Sequence, residues 1–199
     1  PYTTLFRSHY AKRKMFQKTD SLYVACGSLN QITREQVEYA VKECGFACRH
    51  LTMEQKLCPA YYETPEGKAF IGEIVKLCET EKKIVVDTFD GEEDIHEYRM
   101  IHGIPQADVR FLISESHGHI VKEIVDRRMD VTILMTGGDT LMGYMKLIGC
   151  TQLEPVCEIE PGVVVSMLVW NGYRQQVISK SGGFGTEDIM GRIAQKIVK

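Results

Sequence analysis

The sequence contains no uninterrupted apolar run approaching the roughly 18 to 20 residues needed to cross a bilayer, and no basic-then-apolar leader pattern. A cytoplasmic chain with no membrane partner is therefore the expectation. An excess of one charge is also missing. The 24 Lys and Arg stand against 27 Asp and Glu, a formal net charge of -3, so electrostatics gives no reason to expect nucleic acid as a partner. There is no paired C-x2-C knuckle, and the seven cysteines are odd in number and irregularly spaced. That excludes a regular disulfide framework and the common structural zinc pattern. Most of these cysteines fall inside apolar patterns, where a free thiol behaves as a small hydrophobe. One cluster, Cys44, Cys48, His50 and Cys58, gathers metal-ligand residue types without zinc-site spacing; reduced thiols are the expectation there too. Neither G-x-x-x-x-G-K-[ST] nor G-x-G-x-x-G occurs, which removes the two familiar nucleotide fingerprints.

What is present begins with an unusual start. Pro1 to Ser8, PYTTLFRS, reads as the in-frame translation of a short-read sequencing adapter. Residues 1–20 are taken as that segment plus a linker remnant outside the fold. Lys12, Arg13, Lys14 and Lys18, with Met15 and Phe16 between them, make a basic stretch expected to be solvated linker. On this reading the native protein continues upstream of His9, and residues 21–199 form one domain.

From Ser21 onward, strand-like and helix-like segments alternate. Leu22 to Cys26 is a short apolar run ending at Gly27-Ser28, as a buried parallel strand would. Thr33 and Gln36 read as a capping box, with Ile32 and Val37 as its hydrophobic staple. Val37, Ala40, Val41 and Cys44 form one apolar face, and Gly45 stops that helix. Ala47 to Thr52 is a second strand. Thr64-Pro65 starts a helix with a buried stripe of Phe70, Ile71, Ile74, Val75 and Cys78. Ile84 to Val86 is the third strand, and the polar stretch to Gln106 is loop with a turn of helix. Asp108 caps a long helix whose Ile113, Ile120, Val121, Ile124 and Val125 face inward. Val131 to Met135 is a strand and Thr140 to Ile148 the helix after it. Val163–Val169 and Gln176–Ser179 read as a hairpin around Asn171-Gly172. The final helix spans Glu187 to Val198. This order predicts a three-layer α/β sandwich: a mostly parallel sheet with an antiparallel hairpin portion and helices on both faces.

In such sheets ligands bind beyond the carboxyl ends of the strands. Three strand ends carry turns an anion would favour: Cys26-Gly27-Ser28, Thr136-Gly137-Gly138-Asp139-Thr140, and Ser179-Lys180-Ser181-Gly182-Gly183-Phe184-Gly185. Glycine lets backbone N–H groups approach a phosphate closely, and a following helix adds unpaired donors. A helix dipole contributes only about 0.3 to 1 kcal/mol, whereas micromolar binding needs roughly -8 kcal/mol. Charge-assisted hydrogen bonds at about 1.5 to 3 kcal/mol each must supply the rest. One turn is too little; two converging turns suffice. Lys180 either meets a phosphate as a point charge or is an exposed strand-end lysine. Glu187 and Asp188 either simply complement a helix dipole, or Asp139 or Asp188 approaches a phosphate-bound Mg2+, directly or through water. His117 and His119 on one helix point apart and are expected on a solvated surface.

Taken together, Gly27-Ser28 with Asn30 and Thr33-Arg34-Glu35-Gln36, TGGDT at 136–140, Glu160-Pro161-Gly162-Val163, and KSGGFG at 180–185 with Glu187-Asp188 resemble one family. It is the C-terminal nucleotide-binding domain of the four-carbon acid sugar kinases, and the likeness runs over roughly residues 21–199. The resemblance implies ATP-dependent phosphorylation of a terminal hydroxyl on acids of the erythronate, threonate or 3-oxo-tetronate type. It implies ATP contacts from Ser28, Gly137, Gly138, Asp139, Thr140, Lys180, Gly182, Gly183 and Gly185, with Mg2+ carried by ATP near Asp139. The family's substrate domain lies N-terminal and opens with a D-D-x-T-G type motif that this sequence lacks. Catalytic residues and the sugar-acid site are therefore expected in a missing domain, and this fragment alone is expected to be inactive. The alternative is a non-catalytic α/β module binding another anion or a sugar phosphate. A nicotinamide-dependent dehydrogenase fits least, because Gly27-Ser28-Leu29-Asn30 has too few glycines and no acidic residue ends the second strand. A homo-oligomer is compatible with an apolar patch at a truncated interface.

Overall fold

The computed structural model describes residues 16–28, 30–89, 95–170 and 172–199. The adapter-like Pro1 to Ser8, the basic residues Lys12 to Lys14 with Met15, and Asn171 of the hairpin lie outside the described residues. Seven strands form one sheet: β1 Ser21–Cys26, β2 Ala47–His50, β3 Lys83–Asp87, β4 Val131–Thr136, β5 Leu153–Glu160, β6 Val163–Trp170 and β7 Tyr173–Lys180. Their order is β2-β3-β1-β4-β7-β6-β5. The first five in that order run parallel. β7, β6 and β5 form an antiparallel meander at one edge. Helices α1 Gln31–Cys44, α2 Met53–Leu57, α3 Pro65–Thr80, α4 Ile95–His102, α5 Val109–Asp126, α6 Gly138–Leu147 and α7 Ile189–Ile197 complete the described elements, with 3-10 turns at Pro59–Glu63 and Gln106–Asp108. The three-layer α/β sandwich expected from the pattern is the architecture observed.

Strand alternation explains the layers. In β1, Leu22, Val24 and Cys26 face α1 and α7, burying Val37, Ala40, Met190 and Ile193 with them. Tyr23 and Ala25 face the other way, onto α3, α5 and α6 through Ile74, Ile120, Ile124 and Tyr144. Two faces buried under helices require near-continuous apolar strands, and β1 is buried along its whole length. Gly45 ends α1 in the left-handed region at φ 68°, its N–H donating to Ala40 O. Thr64 caps α3 through Gly67 N, with Pro65 at the first turn. No helix among the described residues is long and apolar enough to cross a membrane.

Several local expectations are corrected. Thr33 does not open α1; the cap is Asn30, whose Oδ1 accepts from Ile32 N at 2.8 Å. Thr33 and Gln36 are fully buried inside the helix, and Ile32, the supposed staple, is exposed. A capping box does form, but at Thr52 and Gln55 on α2, where only the end of a strand was expected. β2 accordingly stops at His50. Asp108 stands at the start of α5 without making a side-chain cap. α6 starts at Gly138, two residues early, and α7 at Ile189, two residues late. The polar stretch after Asp87 contains a two-turn helix, α4. β5 was not expected at all: Pro155 interrupts its pattern, and two register shifts follow it, between Pro155 and Cys157 and between Glu158 and Glu160. A proline is tolerated there because β5 is the sheet edge.

Candidate functional site

The parallel register places five residues side by side at the carboxyl ends of the strands. His50 lies opposite Asp87, Asp87 opposite Cys26, Cys26 opposite Thr136, and Thr136 opposite Lys180. The three glycine turns leave from the last three of these strand ends, so sheet geometry alone brings them together. Gly137 N–H donates to Lys180 O at 2.8 Å, joining the TGGDT and KSGGFG turns directly. Gly137 sits at φ 89°, a conformation a side chain would strain.

Helix α1 fastens the third turn. Thr33 Oγ1–H donates to Gly182 O at 2.6 Å and lies 3.1 Å from Ser28 Oγ. Gln36 Nε2 donates to Phe184 O at 3.0 Å and Gly185 O at 2.9 Å. Ser28 Oγ also accepts from Asn30 N. A Cβ on Gly182 would stand 2.8 Å from Ser28 Oγ. Ser28 and Gly182 thus form one wall, although 154 positions of numbering separate them. Sequence reasoning missed this clasp. Its signal was in view, since Thr33 and Gln36 sit three apart on one helix face, but the pattern matched a cap equally well.

Lys180 is neither an exposed lysine nor a paired one. It is 2% exposed, and its Nζ donates to Ser181 O at 2.9 Å and Gly182 O at 3.3 Å. Among the described residues no carboxylate ion-pairs with it, and burial lowers its pKa to about 8, with the nearby Cys26 opposing in part. Gly138, the first residue of α6, and Gly183 are open: a Cβ on Gly138 would meet nothing within 4 Å, and one on Gly183 only Asn30 Nδ2 at 3.7 Å. Asp139 is exposed in the first turn of α6. Thr140 Oγ1 donates back to Thr136 O at 3.0 Å and stands 2.6 Å from where a Cβ of Gly27 would be. Gly185 carries φ 91° against Ile189. Asp188 is ion-paired with Arg192 at 3.2 Å.

His117 overturns the expectation of a solvated surface. It is fully buried beneath the Gly27 turn, its Cδ2 3.3 Å from that glycine's Cβ position. Burial pulls its pKa down to about 4, opposed in part by the Cys26 backbone. His119 does point elsewhere, stacking on Tyr62 with ring centroids 5.6 Å apart. The Pro161-Gly162 turn leans on the site from outside, with Phe184 3.3 Å from the Cβ position of Gly162. Glu160 beside it is held by Lys196 at 2.6 Å and Arg192 at 3.4 Å.

An open α/β sheet with two helix-leading glycine turns and a buried lysine at its carboxyl edge defines a domain built to receive an anion. The chain belongs to the family of nucleotide-binding C-terminal domains, whose model matches residues 23–190. A Bordetella bronchiseptica domain of unknown function (DUF1537), solved with bound citrate as a domain-swapped dimer, is similar at TM-score 0.63 and 19% identity, over 89% of this chain and 40% of that one. A Haemophilus influenzae protein of the DUF1537 family is similar at TM-score 0.62 and 18% identity, over 92% of this chain and 42% of that one. A Salmonella typhimurium LT2 protein provisionally named a tRNA synthase reaches TM-score 0.69 at 16% identity, over 96% of this chain and 44% of that one. At these identities the likeness is one of fold. No curated protein matches the chain. The chain spans about two fifths of the length of the solved structures it resembles.

Proposed function

We propose that this domain holds Mg-ATP for a kinase that phosphorylates four-carbon sugar acids of the erythronate, threonate or 3-oxo-tetronate type, and that it is inactive alone. The observation that carries this reading is the hydrogen bond from Gly137 N–H to Lys180 O. It brings two glycine turns to one edge, so that donors from both can reach one polyphosphate. Lys180 adds support, because a buried cation with no carboxylate partner among the described residues gains from an arriving phosphate. Gly138 and Gly183 add more: among the described residues nothing stands within 4 Å of a Cβ on Gly138, and only Asn30 Nδ2, at an ordinary contact of 3.7 Å, stands near one on Gly183.

In the proposed reaction the bond between the γ-phosphorus and the bridging oxygen of ADP breaks as a bond to the acid's hydroxyl oxygen forms, and the hydroxyl proton leaves to a base. The part assigned to this chain is to orient ATP and offset charge at the phosphates through backbone N–H groups and Lys180. Asp139, exposed at the start of α6, is assigned to the Mg2+ that accompanies ATP, directly or through water. Ser28, Thr140, Gly182 and Gly185 complete the proposed cradle. The acceptor hydroxyl is assigned to the part of the relatives that this chain does not span. An ATP-dependent role fits a cytoplasmic location.

Calorimetry with ATP and Mg2+ tests the reading, together with G138A and G183A. Both variants are expected to fold and melt like the parent, because the methyl group added at Gly138 meets nothing within 4 Å and that at Gly183 makes only an ordinary contact with Asn30. Each is expected to bind ATP about 10- to 100-fold more weakly, the value of one lost charge-assisted hydrogen bond. A folded parent that gives no heat at millimolar ATP would overturn the assignment, as would variants that bind unchanged. Competition by inorganic phosphate or a sugar phosphate at lower concentration than ATP would favour the regulatory module instead.

A further inference from the structure

At the other end of the same register row, β2 and β3 present a cluster that nucleotide binding leaves unused. Alternation puts Cys48 and His50 on one face of β2, and the parallel register sets His50 beside Asp87 of β3. The side chains converge. His50 Nδ1–H donates to Asp87 Oδ1 at 2.7 Å, Cys48 Sγ–H to Asp87 Oδ2 at 3.4 Å, and Sγ lies 3.9 Å from His50 Nε2. One thiol, one imidazole and one carboxylate offer ligand atoms all within 4.8 Å of one another. Asp87 is fully buried and further fixed by Phe89 N–H at 3.1 Å, while His50 is the solvent-facing member. The group opens on a cleft of about 520 Å3 between α1 and the sheet, lined also by Arg34, Glu38, Lys42 and Phe89.

We propose that Cys48, His50 and Asp87 form a binding site for a zinc-class divalent cation, with the fourth tetrahedral position facing the cleft. The donor set decides the metal. Sulfur and imidazole suit Zn2+ and disfavour Mg2+, which takes oxygen ligands. One thiolate and one carboxylate balance a divalent charge. Three protein ligands with one open position is the arrangement of reactive or exchangeable zinc sites, not of closed structural ones. A Cys–His–Asp nucleophile is the competing reading of the same atoms, and the geometry disfavours it. Cys48 Sγ–H donates to Asp87 and lies 3.9 Å from His50 Nε2, so the imidazole is not the group set to take its proton; burial, and after it the touching carboxylate, oppose thiolate formation. A dication reverses that balance: on binding, Cys48 releases its proton to solvent and the thiolate becomes a ligand. Cys44 and Cys58, the other members of the sequence cluster, do not join. Cys44 packs against Gly191 on α7, and Cys58 ends α2.

The test uses the reduced, chelator-treated chain, titrated with Zn2+ against a chromophoric competitor and with Co2+ as spectroscopic probe. One Zn2+ per chain and a thiolate-to-Co2+ charge-transfer band are expected. C48S and H50A should each weaken zinc binding by about a hundredfold or more, since even an outer-shell partner of a ligand commonly accounts for about 10- to 100-fold. C58S should bind as the parent does. Zn2+ should also protect Cys48, and not Cys58, from alkylation mapped by mass spectrometry. A folded parent that takes up no zinc overturns the site, as does uptake unchanged in C48S and H50A. Neither result bears on ATP, whose binding is measured with Mg2+ and different variants.

Discussion

His117 ties the glycine turn to the stability of the whole domain. It occupies the space under Gly27, between α5 and the sheet, and is uncharged there because burial lowers its pKa to about 4. In the unfolded chain it titrates near the ordinary histidine value of about 6.5. Between those two values the unfolded state binds the extra proton, so stability falls as pH drops from 6.5 toward 4 and levels off below. The loss is on the order of 3 kcal/mol. H117Q should flatten the melting temperature across that window, and an unchanged slope would refute this account. Lys180 works at the other end of the scale. Its folded pKa of about 8 lies below the ordinary 10.5, so the free protein gains stability as pH rises from about 8 toward 10.5. Bound phosphate favours the charged lysine instead, so ATP affinity should decline above about pH 8. K180M should remove that decline and bind about tenfold or more weakly, the loss of one charge-assisted contact.

Among the elements, α5 and α6 pack through glycines. A Cβ on Gly143 would sit 2.7 Å from the Ser114 backbone, and one on Gly118 3.4 Å from Tyr144 Cα. G143A must therefore separate two backbones, at about 1 to 3 kcal/mol, which lowers the melting temperature by about 2 to 4 °C per kcal/mol at this size. G72A on α3, where a methyl group meets nothing, is the control and should melt no lower than the parent. Element by element, legibility followed how many independent signals agreed. β1, β3 and β4 declared themselves because burial on both faces leaves an apolar run no other role. Gly45 and Thr64-Pro65 marked helix ends because backbone geometry demands those residues. The pattern T-x-x-Q occurs at Thr33 and at Thr52, and local chemistry cannot tell the two apart. At Thr52 it caps a helix; at Thr33 it binds a loop about 150 residues away. β5 hid because its proline reads as a break until the sheet edge is known. Cys48 and His50 were legible as ligand types, but Asp87 reaches them only through strand register.

For the molecule as a whole, the parallel half of the sheet carries its polar termini along one row, with the glycine turns at one end and Cys48, His50 and Asp87 at the other. Function is proposed to divide along that row. The domain is expected to bind ATP without turning it over on four-carbon acids, and to regain turnover only when the acceptor-binding part of a longer relative is supplied. A phosphorylated acid formed by this chain alone, followed by coupled ADP release, would contradict that division.

The wall shared by Ser28 and Gly182 has a consequence for how recognition arises. Its two sides follow β1 and β7, 154 positions apart, so neither side exists as a receptor until both strands have docked on β4 between them. A peptide carrying one of these turns would be inert, and a half-assembled sheet equally so. Nucleotide capture by such a domain would therefore report complete folding, and its energy would strengthen the cooperative transition itself, not a local loop.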